Sequence, residues 1–208
     1  MLLASCGKRY ERVVEVDEPM RTHVALLRGI NVSGRNKVSM ADLRRVVESR
    51  GNDDVATYIQ SGNVVFRAAT RGGDSSKLAA DLETAIADQL AVHPGVVVLA
   101  RKELALVIRD NPFPEENDHR LLHAVFLRST AGPKDVASVE AAVERARQKG
   151  SQDDARIMGR TLYLWTPEGF AHSVLGSELG RGGEHQTPLK EGTARNWKTV
   201  TALQSLFG

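Results

Sequence analysis

Apolar positions along this chain change their period several times, and each change marks an element. Val24–Leu27 is a short unbroken apolar run, the pattern of a buried strand. Ser39, with Asp42 three residues later, opens a helix that carries Leu43, Val46 and Val47 on one face and closes near Gly51. Val55–Ile59 and Val64–Phe66 are strand-like and flank Gln60-Ser61-Gly62-Asn63, which reads as a hairpin with Gly62 and Asn63 supplying positive φ. After the Gly72-Gly73-Asp74 loop, Leu78, Leu82, Ile86 and Leu90 recur at helical spacing, with Asp74 or Ser75 as the cap. Pro94-Gly95 ends that helix, and Val96–Leu99 is a further strand. The order strand, helix, strand, strand, helix, strand predicts the split βαβ, ferredoxin-like arrangement.

The second half reads similarly. Residues 101–110 form a short helix closed by Asn111-Pro112-Phe113-Pro114, the best domain boundary in the chain. Leu121–Leu127 is a strand, and Asp135 to Lys149 a helix with Val136, Val139 and Val143 inward. Ala155–Met158 and Leu162–Trp165 form a hairpin turning at Gly159-Arg160. Phe170–Leu179 is helical, and Gly180–Gly192 is a glycine- and charge-rich loop. Thr193 is expected to cap a last helix whose apolar face is Ala194, Trp197, Val200 and Leu203. The expected fold is therefore α+β: two ferredoxin-like (α-β plait) halves, residues 21–110 and 111–208, with a C-terminal helix. The repetition lies in the element order, with no repeat visible in the residues themselves.

Composition narrows the function classes. With 41% hydrophobic and 26% charged residues the chain is ordinary for a folded protein, and a net charge of +2 gives no general pull toward nucleic acid or membrane. The single Cys6 excludes an intramolecular disulfide and suits a cytoplasmic location. No apolar run reaches the roughly 18 residues of a membrane helix. Met1–Cys6 (MLLASC) has the outline of a lipoprotein box but no basic lead-in, so residues 1–20 are expected to be a flexible extension, with Met20 as a second start. Six scattered histidines and one cysteine make no metal site; His119 and His123 fall in a loop leading into a strand, where four residues span roughly 13 Å. No cofactor motif is present, and none is expected.

The stretch with the most chemistry is Arg28 to Lys37, R-G-I-N-V-S-G-R-N-K. A connection of about eleven residues between strand and helix is longer than the usual 2–6, and long loops are more often functional. Gly29 and Gly34 have P-loop spacing, but Arg35 and Asn36 stand where Lys and Ser or Thr belong, so this is not a Walker A motif. Freed backbone N–H groups, a helix start and the cations Arg28, Arg35 and Lys37 together suit a phosphate or carboxylate. The competing reading is that Asn31 and Asn36 only tie the loop down. Arg195 and Asn196, read as the first turn of the last helix, place a cation against the helix dipole. Arg195 therefore needs a partner, either a protein carboxylate or a bound anion.

Five stretches occur in order: L-L-R-G-I-N-V-S-G-R-N-K-V (Leu26–Val38), Y-I-Q-S-G-N-V-V-F (Tyr58–Phe66), N-P-F-P (Asn111–Pro114), Y-L-W (Tyr163–Trp165) and T-A-R-N-W-K-T-V (Thr193–Val200). Together they resemble the DUF1697 family over about residues 21–207. The resemblance implies a pair of α-β plait domains and a shared site, without an established biochemical function. Ser33 stands where a second glycine is common in that family, Val174 follows Ser173 where a lysine is often found, and the Gly180–Gly192 loop looks longer than usual.

The expected ligand is a small anionic, phosphate- or nucleotide-like molecule. Arg28, Gly29, Asn31, Gly34 and Lys37 would hold the anion, Gln60, Ser61 and Asn63 would meet its polar parts, and Arg195 and Asn196 would close the site. A transferase or hydrolase using the same pocket is the alternative, although Ser61 has no evident His–Asp partners or nucleophile elbow. A nucleic-acid adaptor is the third reading; plait domains stack bases on strand aromatics, but the RNP1 pattern is missing, so nucleic acid is not the expected partner.

Overall fold

β1 (His23–Arg28) alternates inside a fully covered sheet, so both of its faces are apolar. The computed structural model describes residues 20–32, 36–69, 74–180 and 192–208. The expected leader (except Met20), Gly34, the Gly72-Gly73 turn and residues 181–191 of the glycine-rich loop lie outside the described residues.

The elements after β1 are α1 (Met40–Ser49), β2 (Asp53–Tyr58), β3 (Asn63–Arg67), α2 (Ser75–Leu90), β4 (Gly95–Ala100) and α3 (Arg101–Arg109). Then come β5 (Leu122–Phe126), α4 (Pro133–Gln148), β6 (Asp154–Met158), β7 (Thr161–Trp165), a 3₁₀ turn at Phe170–His172, α5 (Val174–Gly180), β8 (Thr193–Asn196) and α6 (Trp197–Ser205). The strands form two antiparallel four-stranded sheets, ordered β2-β3-β1-β4 and β6-β7-β5-β8. Each half is a ferredoxin-like plait followed directly by a helix, and Asn111–Pro114 runs between α3 and β5.

The caps explain the helix starts. The Ser39 hydroxyl accepts from Asp42 N at 3.0 Å, and the Asp74 carboxylate accepts from Ser76 N at 2.8 Å. Each satisfies one of the orphan N–H groups of a first turn. The inward face of α4 is Val139, Ala142, Val143 and Ala146, with Val136 only half-buried at its edge.

Other details differ from the sequence reading, among them the stretch expected as one helix over Phe170–Leu179, which is a 3₁₀ turn followed by α5. Thr193 does not cap a helix: Thr193–Asn196 is the strand β8, paired along β5 with Ala124 opposite Arg195, and Asn196 caps α6 through Lys198 N at 3.0 Å. Arg195 and Ala194 therefore lie in a sheet, not in a helical first turn, and the dipole consideration does not apply to Arg195. In the first hairpin, Asn63 begins β3, and positive φ falls on Gly62 (74°) and Ile59 (48°).

Three apolar cores follow from strand alternation. Ala25, Leu27, Val64, Phe66, Val96 and Val98 face α1 and α2. Val125, Leu127, Leu162 and Leu164 face α4 and α5. The remaining faces meet each other. Val24, Leu26, Val65, Val97 and Leu99 join Ala124, Phe126 and Tyr163 in one cluster, which α3 fills with Leu104 and Val107 and α6 with Trp197, Val200 and Leu203. The Tyr163 hydroxyl donates to Val107 O at 3.1 Å within this layer, and burial pushes that phenol up to about 12. Trp197 is buried here, as its place on an apolar helix face predicts.

Candidate functional site

The loop after β1 is built by its asparagines. The Asn31 side chain donates to Val38 O and Gln60 O, both at 2.9 Å, and accepts from Val38 N at 2.9 Å. Asn36 Nδ2 donates to Gly29 O at 2.9 Å, and Asn31 N to Asn36 O at 3.1 Å. Asn31 and Asn36 both sit at positive φ, 55° and 48°, a region asparagine tolerates better than most residues. Both therefore tie the loop down, as in the plainer of the two readings of this stretch.

This frame holds Arg28 at the end of β1, opposite Gly95 of β4, where it borders a cleft of about 520 Å³. Gly29, Asn36, His93, Gly95, Arg128 and Thr193 share the lining, so the cleft draws on both halves. Its size is within the range of small-molecule sites. The Arg128 guanidinium donates to Glu83 Oε2 at 2.8 Å, and Glu83 Oε1 accepts from Val96 N at 2.7 Å. Glu83 of α2 thus ties the second half's arginine to the first half's edge strand.

The other expected site residues divide clearly. Lys37 and Gln60 are exposed and outside the cleft lining. Ser61 Oγ accepts from Asn63 Nδ2 at 2.9 Å, and among the described residues no histidine or carboxylate is hydrogen-bonded to it. Asn63 is fully buried and also donates to Tyr58 O at 3.1 Å. Asn196 Nδ2 donates to Arg120 O at 3.2 Å.

Arg195 is 8% exposed, and its protein partners are neutral groups, with no carboxylate among them in the described residues. Its Nε donates to Asn63 Oδ1. Nη1 donates to Thr193 Oγ1 and Ala194 O, both at 2.8 Å. Nη2 donates to Leu27 O at 2.7 Å, Ser61 O at 3.1 Å and Gly62 O at 3.2 Å. Burial draws the guanidinium down to about 10. All its donors are spent on neutral acceptors, so it fastens β8 to the β1 end and the first hairpin.

Sequence reading missed Arg128, His93 and Thr193. The missing signal is a residue repeat. His23-Val-Ala-Leu-Leu27-Arg28 and His123-Ala-Val-Phe-Leu127-Arg128 share His, Leu and Arg at the same offsets, and β1 and β5 occupy the same place in the two sheets. Arg28 and Arg128 are thus equivalent positions of a duplicated plait, and both border the cleft.

Among the described residues no group of three or more His, Cys, Asp or Glu is arranged to hold a metal ion, and no helix is long and apolar enough to cross a membrane. The sheet faces that a base-stacking plait would present to RNA are the ones buried between the two halves.

This fold, with its cleft at paired strand ends, places the protein among tandem-plait proteins. The chain belongs to the DUF1697 family, described as a protein of unknown function, whose model matches residues 20–163. It is similar to the conserved bacterial protein SP0830 from Streptococcus pneumoniae, with 24% identity and a TM-score of 0.68 over 91% of this chain and 99% of that one. That likeness bears on the fold alone. No curated protein matches the sequence.

Proposed function

We propose that the protein binds a small anionic, phosphate-bearing molecule in the cleft between its halves. The observation that carries this reading is the convergence of Arg28 and Arg128 on one cleft, with His93 and Asn36 beside them. Arginine is the side chain best matched to phosphate, because its planar donors engage two oxygens at once. In this reading Arg28 and Gly29 hold the anion together with Arg128, His93 and Thr193, which line the same cleft. Asn31, Asn63 and Arg195 support the walls from behind.

The test is calorimetric titration of the full chain with pyrophosphate and with ATP. Saturable binding that weakens at least about tenfold in both Arg28→Gln and Arg128→Gln, with unchanged melting temperature, supports the reading. Binding that survives in both variants overturns it. A hydrolase or transferase in the same cleft draws on His93, the imidazole of the lining. Turnover of the bound phosphate compound that is lost in His93→Gln, with affinity retained, distinguishes it from a binding protein.

A further inference from the structure

Two of the five sequence stretches, Asn111–Pro114 and Tyr163–Trp165, take no part in the anion cleft, yet they meet each other. Phe113 and Trp165 lie with ring centroids 6.3 Å apart and planes inclined by 26°. With Pro112, Pro114, Glu115 and Glu116 they line a separate cleft of about 310 Å³. Trp165 pairs with Leu122 at the start of β5, whereas Arg128 follows its end, so the two clefts lie at opposite ends of that strand.

The rings are held in place. Both pack against the core shared by the halves. Asn111 accepts from Phe113 N at 3.1 Å and donates to Phe113 O at 3.3 Å, and the flanking prolines restrict the backbone further. Trp165 Nε1 donates to Glu116 Oε2 at 2.8 Å, and Asp118 N donates to Glu116 Oε1 at 2.7 Å. Those bonds hold the Glu116 carboxyl below the usual carboxylate range, so it is anionic at neutral pH. Among the described residues neither Glu115 nor Glu116 has a lysine or arginine in ion-pair contact.

Aromatic faces and a fixed negative charge both attract a cation. Glu115 and Glu116 give this wall its negative charge, and the rest of the lining is hydrocarbon and ring. An aromatic, mostly apolar wall suits a cation clad in methyl groups better than a strongly hydrated ammonium. We propose that this cleft binds a quaternary ammonium group, seated against Trp165 and Phe113 beside the Glu116 carboxylate.

The test uses the full chain with choline and its neutral isostere 3,3-dimethylbutanol, read by calorimetry and by tryptophan fluorescence. Trp197 is buried in the shared core, so a change on titration reports Trp165. The expected result is saturable choline binding at least about tenfold tighter than the isostere. Glu116→Gln keeps an acceptor for the indole N–H and gives up the one used by Asp118 N, so it is expected to weaken choline about five- to tenfold with at most a small drop in melting temperature. Absence of saturable choline binding, equal affinity for the neutral isostere, or tighter binding of Nα-acetyl-lysine amide than of choline overturns the proposal.

Discussion

Arg195 and Asn63, 132 residues apart in the chain, are joined by a hydrogen bond from the guanidinium Nε to the carboxamide Oδ1, and both are buried. Together with the Leu27, Ser61 and Gly62 carbonyls, this contact fastens the second sheet to the first. Arg195→Met removes every donor at once and leaves those acceptors buried and unmatched. The expected loss is about 3–5 kcal/mol of unfolding free energy, the scale for deleting one member of a buried charged network. Urea denaturation checks it. Arg195→Lys should recover only part of the loss, because a compact ammonium has three donors and cannot span the same acceptors.

Gly62 and Gly29 separate two reasons for needing glycine. Both have positive φ, 74° and 75°. A Cβ at Gly62 would lie 2.7 Å from Leu27 Cβ and 2.8 Å from Ile30 Cδ1, while one at Gly29 meets nothing within 4 Å. Gly29→Ala is expected to cost only the conformational penalty of about 1–2 kcal/mol. Gly62→Ala adds overpacking and should cost about 1–3 kcal/mol more. Equal denaturation midpoints for the two variants would contradict this.

Glu83 competes for Arg128. In Glu83→Gln the amide oxygen can still accept from Val96 N, but the negative charge beside the proposed anion cleft is gone. Pyrophosphate affinity is expected to rise about three- to tenfold, reflecting relief of a partly screened like-charge contact. Lys37→Gln, an exposed cation outside the lining, should weaken affinity only about twofold, and less at high salt. Calorimetric titrations at two salt concentrations read both effects.

His123 gives the fold a pH dependence. Its ring lies 4.7 Å from that of Phe170, Nδ1 is buried with no hydrogen-bond partner among the described residues, and burial lowers the pKa below 6.5. The neutral form is favoured in the folded chain, so above the unfolded value of about 6.5 its contribution is intact. As pH falls from there toward the lower folded value, the unfolded state takes up the proton first and stability declines. His123→Phe should flatten that part of the curve of melting temperature against pH; an unchanged slope would falsify the assignment to this residue.

Much of the fold was legible because its strands are apolar runs and its helices carry regular faces. Leu82 and Ile86, or Val139 and Val143, announce which side is buried. β8 was not legible. Four residues, T-A-R-N, are too short to show a period, and a threonine ahead of an apolar helix looks like a cap. Only pairing with β5 makes it a strand. Arg28 and Gly29 could be placed at a cleft from the loop they open, but the contribution of Arg128 lay in the His–Leu–Arg match between β1 and β5. Three shared residues at a separation of 100 positions, with the following loops unlike, do not stand out in a linear reading. The partners of Arg195 were hidden for a different reason: most are main-chain carbonyls, which every residue has and no side-chain pattern reveals.

The core shared by the two sheets, α3 and α6 also limits how the molecule can move. Many two-part binding proteins close on a ligand by bending at a hinge between parts that touch through a modest polar surface. Here the parts touch through buried aliphatic and aromatic side chains, latched by Arg195. Opening that joint would expose Val24, Leu26, Phe126 and Trp197 to water together. The strand ends that carry Arg28 and Arg128 are therefore held at a fixed span, and the ligand proposed for this cleft would meet a ready-made mouth and be measured against that span.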